Sequence, residues 1–414
     1  MHTSPRNKEP PASLSNLPGD VLRCIMMALP DLQSLDRLLL ALPCALRLFH
    51  DEGPRILEGV LTHAVKAESM AEQVTETMRL VSLVQSPASL AVAAAGLNAF
   101  KDAYIHNNTV KLRPNPPSTK APPLPVIFSN PAPGFSARKL LLLSRRITSL
   151  AYDCFDFFYD QWKQATPQHL ANPRDSYRDG RPRLPWRKSF QGCPYKFDPG
   201  GPPYWIEMQH ILDGLWNVQL TYELKNATKE ARLPWPAADV ALAGTLEPST
   251  LFRLERLEAV VSVLYFFSQT RDAHDISRQP SRGFSDSPLQ LPRPSARHWP
   301  ETTNLRKGPR HDWGGYSFMW SQVHSGDFIS PFRGISFSAF RPLGLGLWSL
   351  GRLIAGELVS QPLDMPGPPR PIMLLSSSNR LFTWRSLLRK EDIDAHVAQL
   401  EEEVGQTRGG APVT

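Results

Sequence analysis

Proline decides where helices can begin and end in this chain. Leu17-Pro18 and Leu29-Pro30 bracket the stretch NLPGDVLRCIMMALPDLQSL at residues 16–35. A proline is tolerated in a first helical turn, where its missing amide has no partner anyway, and it disfavours helical geometry in the residue before it. The bracket therefore limits the helix to about three turns. Within it Leu17, Val21, Leu22, Ile25, Ala28 and Leu29 recur at helical spacing, widened by Met26 and Met27, so one apolar stripe is expected.

The same punctuation continues downstream. Asp31 is placed to cap a second helix carrying Leu32, Leu35, Leu38, Leu39 and Leu42, which Pro43 interrupts. Leu46 and Phe49 extend the pattern, Gly53 is a stop, and Pro54 opens a helix with Ile56, Leu57, Val60, Leu61 and Ala64. So small a cluster buries too little apolar surface to stand alone and completes itself against another surface. Two readings fit that periodicity equally: a docking module for a partner, or the N-terminal part of one larger helical domain.

Beyond residue 66 the chain reads as a helical body with interruptions. Residues 69–107 predict two helices, the first with Met70, Val74, Met78 and Val81, the second from Pro87 through Leu90, Leu97 and Tyr104, with Ser86 as its cap. Eight prolines in residues 114–133 favour extended polyproline II and are expected to support neither helix nor core. From Lys139 a long helix carries Ile147, Leu150, Ala151, Cys154, Phe155, Phe158 and Trp162. Trp205 to Leu224, a helix after Pro248 with Leu251, Leu254, Leu257, Val260, Val261, Leu264 and Phe267, and residues 343–359 complete the body. A core of Phe155, Phe158, Trp162, Trp216, Leu257 and Leu264 is expected. A last charged helix would align Ile393, Val397, Leu400 and Val404.

Composition narrows the function classes. With 414 residues and 41 prolines the chain has room for two or three domains separated by proline-rich connections. Cys24, Cys44, Cys154 and Cys193 lie too far apart for a disulfide framework or a Cys-x-x-Cys metal site, which suits a reducing compartment, cytoplasmic or nuclear. Leu80–Phe100 has the length of a membrane span, but Ser82, Gln85, Ser86, Pro87, Ser89 and Asn98 dilute it, and no membrane partner is expected. The sequons at Asn107 and Asn226 are read as chance triplets.

Two stretches, 163–204 and 271–311, are rich in Arg, Pro, Gly and Ser and are expected to be disordered insertions. Their basic strip, with Trp186, Phe190, Tyr195 and Tyr204 among Arg181, Arg183, Arg187 and Lys188, has the chemistry for phosphate contact and stacking. With no nucleic-acid motif beside it, solvation is the reading adopted and nucleic acid is not the expected partner. Walker, Gly-x-Gly-x-x-Gly, His-Glu-x-x-His and Gly-x-Ser-x-Gly motifs are absent. His298, His311, Asp312 and His324 match no zinc spacing, so no metal, cofactor or catalytic residue is expected.

Leu17-Pro18, Val21-Leu22, Ile25, Leu29-Pro30, Leu32, Leu35 and Leu38 resemble the F-box, a three-helix motif. The runs LPDLQSL at 29–35 and ALPCALRLF at 41–49 are similar to the divergent F-box-like domain of filamentous-fungal proteins. The usual Val-Cys and following Trp are replaced after Leu40 by Ala41-Leu42-Pro43 and Phe49. The resemblance implies a mostly α protein with an F-box-like docking module at 14–62, a helical extension at 63–110, a proline-rich linker at 111–136 and an α-helical body at 137–404. It implies that Leu17, Pro18, Val21, Leu22, Ile25, Leu29, Leu32, Leu35 and Leu38 bind the Skp-type adaptor of a cullin-RING ubiquitin ligase, while the body holds a protein substrate. A scaffold that keeps the module without a ligase role is the alternative.

Overall fold

The computed structural model describes residues 14–106, 119–129, 136–170, 192–195, 201–252, 254–275, 290–295, 305, 337–356, 358 and 382–391, with a few isolated positions beyond. Over these residues the protein is mostly α-helical.

Helices α1 (Gly19–Met27) and α2 (Leu32–Ala41) stand where the prolines put them. Asp31 caps α2, its carboxylate accepting the Ser34 amide at 2.6 Å. Pro43 opens α3 (Pro43–Lys66). The break expected at Gly53-Pro54 divides it: Glu52 leaves helical geometry with φ −119° and ψ 20°, and a second helical half follows from Pro54 across a kink. Pro54 lacks an amide and its ring crowds the preceding turn, which interrupts the hydrogen-bond ladder.

Helix α4 (Glu72–Val84) follows, and the single helix expected from Pro87 is three pieces: α5 (Pro87–Ala93), α6 (Leu97–Phe100) and a π-helical turn at Lys101–His106. Partners from a distant segment compete for the backbone between them. The Trp235 indole donates to the Ala94 carbonyl at 3.0 Å, and Asp239 accepts the Leu97 amide at 3.1 Å. Ser86 makes no cap; its hydroxyl donates to the Ile127 carbonyl at 3.2 Å.

That carbonyl belongs to the proline-rich stretch, where expectation and structure differ. Leu124–Ile127 forms a helical turn, α7, and Ala121, Leu124 and Ile127 are buried. Glu76 accepts the Ala121 amide and Glu58 the Leu124 amide, each at 2.9 Å, while Arg79 bridges the two carboxylates at 2.6 and 2.8 Å. Apolar residues between the prolines, with backbone amides for two buried acids, make residues 120–127 a strap over α3 and α4 rather than a free connector.

The long aromatic helix is α8 (Ala137–Gln164), capped by Ser136, with its whole predicted stripe buried. Helix α9 (Trp205–Lys229) is the central element, packed against α4, α8, α12 (Leu254–Asp275) and α10 (Ala237–Gly244). Helix α11 (Pro248–Leu251) is a single turn before α12. A Cβ on Gly214 would lie 2.9 Å from the Ala259 carbonyl, so glycine allows α9 and α12 to approach backbone to backbone. On α12 the inward residues are Ala259, Val260, Val263, Phe266 and Phe267, whereas Leu257 and Leu264, expected in the core, are half-buried. Their helix is apolar on several sides, so spacing alone does not single out the inward one. Strands β1 (Gln168–Leu170), β2 (Gly192–Pro194) and β3 (Phe382–Thr383) form a small antiparallel sheet with β1 central, Gln168 facing Pro194 and Thr383.

One hydrophobic core runs from Leu22 to Leu388. Helices α2 and α3 pack on α8, Asp36 pairs with Arg145 at 3.4 Å, and the Ser69 hydroxyl donates to the Pro30 carbonyl at 2.6 Å. The N-terminal cluster thus shares one continuous hydrophobic core with the helical body.

At the start of α9 lies a buried ion pair, Glu207 with Arg352 of α13 (Leu350–Ala355), at 2.7 and 2.8 Å. Both side chains are fully buried. Glu207 also accepts the Ser349 amide and hydroxyl and the Tyr204 amide. The guanidinium donates to the Gly201 and Pro202 carbonyls and sits 5.2–5.5 Å from the ring centres of Trp348, Phe155, Tyr204 and Tyr159. Removing one partner leaves an uncompensated buried charge. Glu207→Gln or Arg352→Met is expected to lose about 3–5 kcal/mol in denaturant unfolding, and the double variant less than the sum.

Farther along α9, half-buried Glu223 accepts Gln85 at 2.6 Å and Gln219 at 2.8 Å. Burial pushes its carboxyl above the usual range, against those two hydrogen bonds. A carboxyl raised on folding favours the folded state at low pH, and that contribution is lost as pH rises through the raised value. Glu223→Gln is therefore expected to gain melting temperature relative to wild type as pH increases from about 4 to about 7.

Candidate docking surface

The residues of the F-box-like match divide by depth. Leu22, Leu32 and Leu35 are core, at 3%, 2% and 0% exposure. Leu17, Leu29 and Leu38 are half-buried, and Pro18, Val21 and Ile25 face outward. Helical spacing puts Pro18, Val21, Ile25 and Ala28 in one row along α1, and all are exposed. The opposite row, Leu22 and Met26, seats α1 against α3. The apolar stripe read from the sequence is thus two faces, one spent on the fold and one left open.

The seating is fixed by charge as well as packing. Arg23 donates to Glu52 at 2.9 Å and to Asp20 at 2.5 Å, joining the middle of α1 to the kink in α3. These carboxylates raise the Arg23 guanidinium further above its ordinary value, with the Glu52 hydrogen bond the main cause. Leu14 is also exposed, as is Leu40 on α2 at 71%. Leu14 lies outside the matched positions, and its only sequence signal is a leucine three residues before Leu17, whose amide donates to its carbonyl.

The open row carries aliphatic side chains, with the exposed Cys24 thiol beside it. Its chemistry is contact. Covering Val21 and Ile25 would contribute on the order of 1.5–3 kcal/mol each for full burial, less for the fraction already covered.

Elsewhere the reactive groups are held in structural roles. Burial pushes the Cys154 thiol well up, away from thiolate chemistry. Burial also lowers His210, whose Nδ1 lies 3.3 Å from the Leu347 carbonyl. Among the described residues no three His, Cys, Asp or Glu side chains group as metal ligands, and no helix is long and apolar enough to cross a membrane. Asn226 of the second sequon is buried within α9. His298, His311, Asp312 and His324, the basic residues Arg181, Arg183, Arg187 and Lys188, the sequon at Asn107, and Ile393, Val397, Leu400 and Val404 fall outside the described residues or have undescribed side chains.

No family model, curated protein or solved structure matches the chain.

Depth separates two kinds of variant on one short helix. Leu22→Ala and Leu35→Ala are expected to cost about 2–5 kcal/mol of stability, while Val21→Ala and Ile25→Ala stay within about 0.5 kcal/mol, by urea denaturation.

Proposed function

We propose that the N-terminal helices form an F-box-like docking element that engages a Skp-type adaptor through the open row of α1, leaving the helical body to hold a protein substrate for a cullin-RING ubiquitin ligase. The observation that supports this is the exposed row Pro18, Val21, Ile25 and Ala28 on a helix whose other side is locked into the core. A rigid helix presenting aliphatic anchors suits helix-against-helix recognition, because the backbone that carries the anchors is already ordered. On this reading the protein has no catalytic centre or cofactor of its own and acts in the cytoplasm or nucleus.

The second reading is a scaffold with no ligase role. It is favoured by the continuity of the core from α1–α3 into α8, which accounts for the leucine-rich cluster without any partner.

The deciding measurement uses the full chain and purified adaptor. Wild type is expected to retain the adaptor in a pulldown, and Val21→Asp with Ile25→Asp to lose it while keeping the wild-type melting temperature. Leu22 is unsuitable for such a test, because an aspartate there would unfold the cluster. Equal retention by both proteins, or none by either, removes the ligase reading and leaves the scaffold.

A further inference from the structure

The open row of α1 does not end at Ala28. That residue also lines a cavity of ≈ 430 Å³ between the end of α1 and the second half of α3, beside Met27, Arg55, Glu58, His63 and Lys66. We infer that this cavity is the acidic-side-chain subsite of the docking surface: the partner lays aliphatic residues along Val21 and Ile25 and presents glutamate or aspartate side chains to the wall that carries Arg55 and Lys66. The inference rests on the docking reading of α1 and adds the chemical character of what docks.

Charge balance carries it. The acid in the cavity, Glu58, is already satisfied: one oxygen accepts Arg79 at 2.8 Å and the other the Leu124 amide at 2.9 Å. Among the described residues Arg55 has only Glu52 at 3.9 Å, and Glu52 is itself held by Arg23 at 2.9 Å. Lys66 is exposed and, among the described residues, has no ion pair or hydrogen bond. A cavity wall with two under-neutralised cations is complementary to acidic side chains. The simpler account, that Lys66 complements the dipole at the end of α3, does not cover Arg55.

Position supports the same occupant. Ile25 and Ala28 are one turn apart, so a segment running along α1 reaches the cavity within about 5 Å. Aliphatic anchors beside a carboxylate clamp fix register, since charge pairs set orientation while apolar contact supplies affinity.

The test uses the full chain and a fluorescein-labelled peptide of alternating leucine and glutamate, with its leucine–glutamine counterpart as control. Wild type is expected to bind the acidic peptide about tenfold more tightly than the control, and less tightly as salt rises from about 50 to about 500 mM. Arg55→Glu with Lys66→Glu, both exposed positions, is expected to abolish that preference at an unchanged melting temperature. Equal binding of the two peptides, or a preference that survives the charge reversal, overturns the inference. So does competition by inorganic phosphate at a concentration equal to the peptide, which would make this a free-anion site. These outcomes are independent of the adaptor. If adaptor binding is lost in Val21→Asp with Ile25→Asp but untouched in the charge-reversal variant, the docking reading stands and the acidic subsite falls.

Discussion

The fold depends on a charge pair placed where water cannot reach it. Glu207 stands in the first turn of α9 and Arg352 at the end of the described chain's helical body, and both are fully buried. Desolvating two ions costs several kcal/mol apiece, so the pair is tolerable only because it is densely hydrogen-bonded. The Ser349 hydroxyl and amide, the Tyr204 amide and two backbone carbonyls fill the remaining valences, and four aromatic rings close over the guanidinium. Such an arrangement tolerates one geometry. It fixes the start of α9 against α13, and the Trp162–Trp348 stack at 5.2 Å carries that constraint into α8. Gly344, at φ +64°, lets the intervening chain turn against Phe158, which a Cβ would strike at 2.8 Å.

Around this fixed centre the remaining elements are attached by acids that accept backbone amides. Glu58 and Glu76 hold the strap, Asp239 holds the start of α6, and Asp153 accepts the Ser295 amide at 2.8 Å. Proline-rich segments have free amides because they form no regular hydrogen-bonded structure, and carboxylates on the helices supply the missing acceptors. A chain with so many prolines thereby holds irregular segments on its core through side-chain acceptors.

Legibility in the sequence followed how local the determining physics was. The boundaries of α1, α2 and α8 were readable because a proline or a capping residue within a few positions sets them. The break at Glu52 was readable for the same reason, since Gly53 and Pro54 interrupt the ladder locally. The divided Pro87–Tyr104 segment was not readable, because Trp235 and Asp239 compete for its backbone from more than 130 residues away. The inward side of α12 was hidden by apolar residues on several sides. For the candidate surface, spacing placed Val21, Leu22 and Ile25 on one stripe, and only packing against α3 separates the outward residues from Leu22. The cavity at Ala28 was invisible, since it exists only where α1 and α3 meet.

The separation of Glu207 from Arg352, 145 residues, has a consequence for how the chain comes into being. At about 5–20 residues per second, the arginine leaves the ribosome roughly 7–30 s after the glutamate. Over that interval the start of α9 has neither its anchoring cation nor α13, and α12 emerges only about half-way through it. Synthesis therefore leaves the Glu207 end of the central helix without its counter-ion for far longer than collapse takes.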